Sequence, residues 1–240
     1  MKKIFKFIKI IRLGLFSALF KHNVAASVEH YNVLTALKCA TVVDIGANRG
    51  QFSLIARHRF PGANIIAFEP LPKPASQFLD VFANDDLVVL HNAAIGKKIE
   101  KCEMHISAKD DSSSLLPISE LQEETFPGTK EVGVIEVKVS PLDTFVKVDD
   151  ITSPALLKLD VQGFELDALQ GCETLLSSFN WVYCECSFVE LYTGQSLASD
   201  VIEWLYQKGF RIEGIYNHSY DDKGTAIQAD FLFKKSAAHS

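Results

Sequence analysis

The sequence predicts an α/β fold: a doubly wound, mostly parallel sheet of seven strands whose last strand is antiparallel, with an added β-ribbon. Three observations predict it. Short apolar runs rich in β-branched residues alternate with amphipathic stretches of helical period. One of these runs passes through a glycine-containing turn straight into a helix. The last two runs flank a turn-rich stretch that marks a hairpin. Buried strands are expected at residues 41–45, 64–68, 87–91, 155–159 and 181–185, with helices over 50–59, 73–83, 164–176 and 197–208. Residues 210–216 and 227–233 complete the sheet as a hairpin around 217–224. Residues 100–106 and 132–139 alternate apolar with polar positions, the pattern of ribbon strands added to the sheet, joined by a polar loop around 110–114. Such an alternation sets helices on both faces and a ligand at the carboxyl ends of the strands.

At 240 residues, 48% hydrophobic and 22% charged, the chain has enough apolar residues for one large core, and it shows no repeat or low-complexity tract. It divides into a basic amphipathic helical segment (1–38), a main domain (39–235) and a disordered tail (236–240). A net charge of -6 argues against a nucleic-acid partner, because affinity for phosphates comes from Lys and Arg. The one basic cluster is terminal: Lys2, Lys3, Lys6, Lys9 and Arg12 interleave with Ile4, Phe5, Phe7, Ile8, Ile10 and Ile11. The uncharged run 13–20 is too short for the roughly 20 residues of a bilayer span. Either this segment packs on the domain, or residues 1–21 make peripheral contact with an anionic membrane. The expected location is cytoplasmic, with any such contact at the inner face of the membrane. Five cysteines are an odd number in a chain too large to need disulfides, and Cys184 and Cys186 lack zinc-knuckle spacing, so no metal-ligand set is expected.

The first strand leads into Asp44-Ile45-Gly46-Ala47-Asn48-Arg49-Gly50-Gln51-Phe52. Gly46 permits close backbone approach, and Gly50 opens a helix whose terminal amides can hold a pyrophosphate or a carboxylate. A dinucleotide fingerprint wants glycine where Asn48 stands, which weakens a nicotinamide-dehydrogenase reading. Asp44 at the strand end suits a ligand that carries both a carboxylate and an ammonium, such as S-adenosylmethionine. Glu69, before Pro70, is placed to accept from two ribose hydroxyls. Asn92, beside Ala93, is placed for an adenine edge. Asp160 ends the fourth strand and can accept a hydroxyl proton or bind a donor amine. Lys158 shares its face and needs a partner if buried. Glu165 is either a second acid for the chemistry or an ordinary helix-start carboxylate. Glu185, Phe188 and Tyr192 offer aromatic and acidic contacts to a carbohydrate. His91 and His105 titrate in a useful range but lie in strand segments.

Val43-Asp44-Ile45-Gly46-Ala47-Asn48-Arg49-Gly50, Phe68-Glu69-Pro70, Leu142-Asp143-Thr144-Phe145 and Leu157-Lys158-Leu159-Asp160-Val161-Gln162-Gly163-Phe164-Glu165, in that order, resemble the FkbM-type methyltransferases over about Cys39 to Phe233. The resemblance implies a class I, Rossmann-like methyltransferase fold, S-adenosylmethionine as donor, and O-methylation of a sugar, glycan or polyketide hydroxyl. It also implies a serine loop near the donor, which singles out Ser113. Many relatives carry Glu where this chain has Gln162, which leaves any divalent-metal requirement open. The rival readings are methylation of another small molecule on oxygen or nitrogen, and a non-catalytic donor-binding protein.

Overall fold

A computed structural model describes residues 2–236, apart from the side chains of 2–5 and 16. Met1 and residues 237–240, most of the expected tail, lie outside the described residues. The strands are β1 Thr41–Ile45, β2 Asn64–Phe68, β3 Val88–His91, β4 Ala94–Ile95, β5 Glu100–Ser107, β6 Glu131–Ser140, β7 Ala155–Leu159, β8 Trp181–Ser187, β9 Phe210–Tyr220 and β10 Ala226–Lys235. The helices are α1 Lys2–Arg12, α2 Phe16–His22, α3 Tyr31–Thr35, α4 Gln51–Arg59, α5 Pro72–Val81, α6 Glu120–Thr125, α7 Glu165–Gly171 and α8 Ala198–Gln207. Seven strands form the main sheet in the order β3-β2-β1-β7-β8-β10-β9. β10 runs antiparallel to both neighbours, and the other pairings are parallel.

Because side chains alternate along a strand, the sheet has two faces of different character. Val43, Ile45, Leu157, Leu159, Val182, Cys184, Phe231 and Phe233 point to one face, which packs on α7 and α8 through Ala168, Leu169, Val201 and Leu205. Val42, Ile65, Leu156 and Leu232 point to the other, against Phe52 and Ile55 of α4 and Val33 and Leu34 of α3. That second face also carries Asp44, Lys158, Tyr183, Glu185, Gln228 and Asp230. One face is thus an ordinary core, and the other turns polar toward the carboxyl ends of the parallel strands.

Two expectations are corrected. The ribbon is not added to the main sheet: β5 and β6 pair antiparallel and, with β4, form a separate three-stranded sheet. The N-terminal segment is not one helix: α1 stops at Arg12, and Gly14, with φ +72, turns the chain into α2. Ile10, Ala26, Val28, Val33 and Leu34 of this segment are buried in the same cluster as α4 and β1. Among the described residues no helix is long and apolar enough to cross a membrane.

Candidate active site

The turn after β1 is shaped by close backbone contact. Gly46 has φ +78, and a Cβ there would lie 1.9 Å from the Asp160 carbonyl oxygen, so only glycine fits. Gly46 and Ala47 N–H donate to the Phe68 carbonyl at 3.0 and 2.9 Å, which fastens the turn to the end of β2. Asn48, at φ +47, donates its N–H to Glu69 Oε2 at 2.9 Å, and Leu71 N–H donates to Glu69 Oε1 at 2.7 Å. Glu69 is buried, and burial pushes its pKa up to about 7 against the opposing pull of those two amides.

A cavity of about 650 Å³ opens here, within the range of small-molecule sites. Gly46, Ala47, Asn48, Phe52, Glu69, Pro70, Ala93, Ser113, Lys158, Asp160 and Glu185 all border it. Ser113 is held by its Oγ, which accepts from Ser107 N–H at 3.1 Å. Asp44, Gly50 and Asn92, all expected at the donor, do not border it. Gly50 starts α4 at φ +89, where a Cβ would meet the Phe82 ring at 2.7 Å; its glycine is needed for packing. Asn92 spends its amide on the carbonyls of Glu69 (2.8 Å) and Pro70 (3.1 Å), bracing the turn from behind.

The polar sheet face continues the cavity. The buried Lys158 ammonium lies 3.0 Å from Asp44 Oδ1 and 3.8 Å from Asp160 Oδ2, donates to the Gly46 carbonyl at 3.1 Å, and stands over the Phe52 ring. Burial pulls its pKa down, but the carboxylates of Asp44 and Asp160 outweigh that pull, and the net shift is upward. Asp44 Oδ2 accepts from Ser53 Oγ at 2.6 Å, so Asp44 is fully engaged behind the cavity wall. Gln162, at φ +55, donates from one amide nitrogen to Asp160 Oδ1 (2.7 Å) and to Glu185 Oε2 (3.1 Å). Gln228 donates to Glu185 Oε1 at 2.8 Å. Burial, and then the charges of Asp160 and Asp230, push the Glu185 carboxyl well up.

Three further expectations are corrected by side-chain direction. Glu165 does not face the cavity: its Oε1 accepts from Val161 and Gly163 N–H, both at 3.1 Å, and so closes the turn before α7. Tyr192 is buried and donates its hydroxyl to Gln162 Oε1 at 2.7 Å, supporting the site from outside the cavity. Phe188 packs on Phe231 with ring centroids 5.9 Å apart. His91 stacks on Phe68, and His105 pairs with Glu131 on the ribbon. The sequence reading missed His30, Asn217, Gln228 and Asp230, which line the far end of the cavity. The one available signal was Asp230, a carboxylate in a mostly apolar strand. It also missed Arg49, whose guanidinium pairs with both oxygens of Asp110 at the rim.

A doubly wound sheet with this strand order, a glycine turn at the end of β1 and an acid at the end of β2 defines a class I, S-adenosylmethionine-dependent methyltransferase. The model of the methyltransferase FkbM domain matches residues 44–212, and the chain belongs to that family. It is 28% identical over 162 residues to the 2-O-methyltransferase NoeI of Sinorhizobium fredii, an alignment covering 64% of this chain and 66% of NoeI. It is 31% identical over 146 residues to the hexuronic acid methyltransferase AglP of Haloferax volcanii, covering 59% of this chain and 54% of AglP. A crystal structure of a Clostridium thermocellum protein described as an rRNA methylase has the same fold, with TM-score 0.50, 9% identity, and 89% and 99% of the two chains covered.

The Glu165 geometry yields a pH prediction. Burial first, against backbone amides, raises its folded-state pKa from 4.5 to about 7. The folded chain therefore keeps a proton that the unfolded chain releases, and the stability this gives is complete below about pH 4.5 and lost as pH rises through 7. Glu165→Gln keeps an oxygen acceptor without the charge. Urea unfolding should find it more stable than the parent at pH 8, by roughly 1–3 kcal/mol, with a much smaller difference at pH 5. An equal difference at both pH values would contradict the burial argument.

Proposed function

We propose that the chain O-methylates a hydroxyl of a sugar, glycan or glycolipid precursor. The observation that carries this reading is the cavity's two-ended lining. One end has the glycine turn and Glu69; the other has a row of hydrogen-bonding groups, namely Glu185, Gln228, Asp230, Asn217 and His30. A polyhydroxylated acceptor gives such groups partners, whereas an apolar polyketide would bury them unmatched. The names of NoeI and AglP, two relatives acting on oxygen or on a sugar acid, agree with it.

The residues at the first end fit the donor's chemistry. Gly46 lets the turn close on the Asp160 backbone at the cavity edge, Glu69 retains acceptor capacity on each carboxylate oxygen, and Phe52 and Ala47 give apolar walls. In this reading Gly46, Ala47, Asn48, Glu69, Pro70, Ala93 and Ser113 hold the donor, which supplies the methyl group when bound. Asp160, beside Gly46, orients the acceptor hydroxyl, and Lys158 fixes Asp160 and the turn. The cations along the cavity are engaged: Lys6 by Glu29, Arg49 by Asp110, Lys109 by the Pro127 carbonyl and Lys158 by Asp44. That favours a neutral glycoside over a uronate or phosphorylated one.

The direct test is transfer of labelled methyl to a panel of neutral glycosides, uronides and lipid-linked glycans, with and without magnesium. Label in neutral glycosides, independent of magnesium, is expected. Label confined to uronides or to non-sugar acceptors would refute the reading. Glu69→Ala should weaken S-adenosylhomocysteine binding about tenfold or more in calorimetry, since each charge-assisted hydrogen bond contributes roughly 1.5–3 kcal/mol. Parent-like affinity would remove Glu69 from the donor site.

We also propose peripheral attachment to anionic membrane through α1. Ile10 packs on the domain, but Phe7, Ile8 and Ile11 are 44%, 41% and 48% exposed beside Lys9 and Arg12. Apolar and basic groups together suit a headgroup region. The protein should sediment with phosphatidylserine vesicles at low salt and be released at high salt. Failure to sediment at low salt would leave α1 a packing element only.

A further inference from the structure

We propose that His30, delivered by the N-terminal segment, is the group that accepts the acceptor's hydroxyl proton, and that Asp230 holds it ready to do so. His30 ends a tight turn, Val28–His30, and meets the polar sheet face edge-on to Phe52 (5.4 Å) and Tyr183 (5.6 Å). Its Nδ1 lies 2.9 Å from the Tyr183 hydroxyl oxygen and 3.4 Å from Asp230 Oδ2. The Tyr183 hydroxyl donates to the same Asp230 oxygen at 3.0 Å, and Asn217 Nδ2 donates to it at 2.7 Å.

The partners of Nδ1 bear on the imidazole's form. A phenol has one hydrogen, and a buried carboxylate is the strongest acceptor within its reach. With that hydrogen on Asp230, the tyrosine oxygen can only accept from His30. Nδ1 also lies 3.2 Å from Asn217 Nδ2, which gives one N–H to Asp230; with the Tyr183 oxygen and Asp230 Oδ2 as the two acceptors beside it, the ring proton is assigned to Nδ1 and the lone pair to Nε2. Nε2 bonds to none of the described residues, and His30 borders the cavity. Phe52 touches both His30 and the ammonium of Lys158, so His30 sits one ring away from the Lys158–Asp160 pair.

The charged and titratable groups around it are Asp230 on β10, Tyr183 on β8, Lys158 on β7 beyond Phe52, and Glu29 on its own turn, which is paired with Lys6 of α1. Asp160 already accepts from Gln162, whereas His30 Nε2 has no hydrogen-bond partner among the described residues. The step balances. The acceptor oxygen bonds the methyl carbon as the carbon–sulfur bond breaks, both electrons of that bond stay on sulfur, and the hydroxyl proton passes to Nε2. His30, Asn217 and Asp230 lie outside residues 44–212, and Tyr183, which links them, lies within.

This proposal rests on the O-methyltransferase reading, and its test has two arms. In the first, nitrogen-15 spectra of the histidine rings in the full-length protein should show His30 protonated on Nδ1 in its neutral form, shifting toward the Nε2–H form in Asp230→Asn. An Nε2–H ring in the parent would overturn the proposal, whatever the acceptor proves to be. In the second, His30→Ala and His30→Gln are assayed with whichever glycoside the parent labels. Turnover should fall about a hundredfold or more, the typical size of a general-base contribution, with S-adenosylhomocysteine affinity changed less than about twofold. Added imidazole should restore part of the His30→Ala activity, and the acid limb of the parent's pH profile should vanish in His30→Gln. Near-parent turnover, or a loss that imidazole does not rescue and that leaves the pH profile intact, would overturn it. If the parent labels no glycoside, the glycan reading falls, and the spectra still decide the form of His30.

Discussion

The site depends on one buried charge pair. Lys158 and Asp44 face each other across the two central strands, Asp44 fully buried and Lys158 nearly so. An ammonium in that position without a partner would cost several kcal/mol, and removing one member of a buried pair typically costs about 3–5 kcal/mol. The pair also fixes what lies around it. Lys158 holds the Gly46 carbonyl and lies over Phe52, and Asp44 takes the Ser53 hydroxyl. One ion pair thereby sets the β1–α4 turn and the first turn of α4 at once. Asp160, one position past β7, inherits its place from the same arrangement.

That dependence explains why the end of the cavity at the glycine turn was legible in the sequence. The turn after β1 and the acid after β2 are local features: their geometry follows from a strand, a glycine and a helix in immediate succession. The strands were legible for a similar reason, as short apolar β-branched runs are what a sheet covered by helices on both faces buries. Ends of elements were less so. Gly14 breaks an apolar, basic pattern that reads as a continuous helix, because periodicity registers the apolar stripe and not a left-handed residue within it.

The end of the cavity lined by His30, Asn217, Gln228 and Asp230 was largely illegible, and the reason is distance along the chain. Asn92, Glu165 and Tyr192 are near the cavity in sequence logic, yet each turns its polar atoms toward a backbone or a neighbour that only the tertiary fold supplies. His30 and Asn217 approach to 3.2 Å across 187 residues, and His30 meets Tyr183 across 153. No local pattern encodes such a contact. The family motifs could not supply it either, since they begin after His30 and end before Asp230.

Gln162 shows how the two ends are joined. Asp160 and Glu185 end adjacent parallel strands on one face, where two carboxylates repel each other in a poorly solvated setting. A glutamate at 162 would add a third acid to the pair and call for a cation among them. The amide of Gln162 instead turns one N–H toward each carboxylate, and Tyr192, by donating to its oxygen, keeps the amide from flipping. The left-handed backbone at Gln162 and the glycine at 163, where a Cβ would meet the Tyr192 ring at 2.9 Å, are what allow this turn to pack so tightly. The relief of repulsion is thus built from neutral hydrogen-bond donors. Asp160 remains open to the cavity on its other oxygen, and Glu185 is anchored from both sides. Both carboxylates are thereby held in fixed positions at the carboxyl end of the sheet.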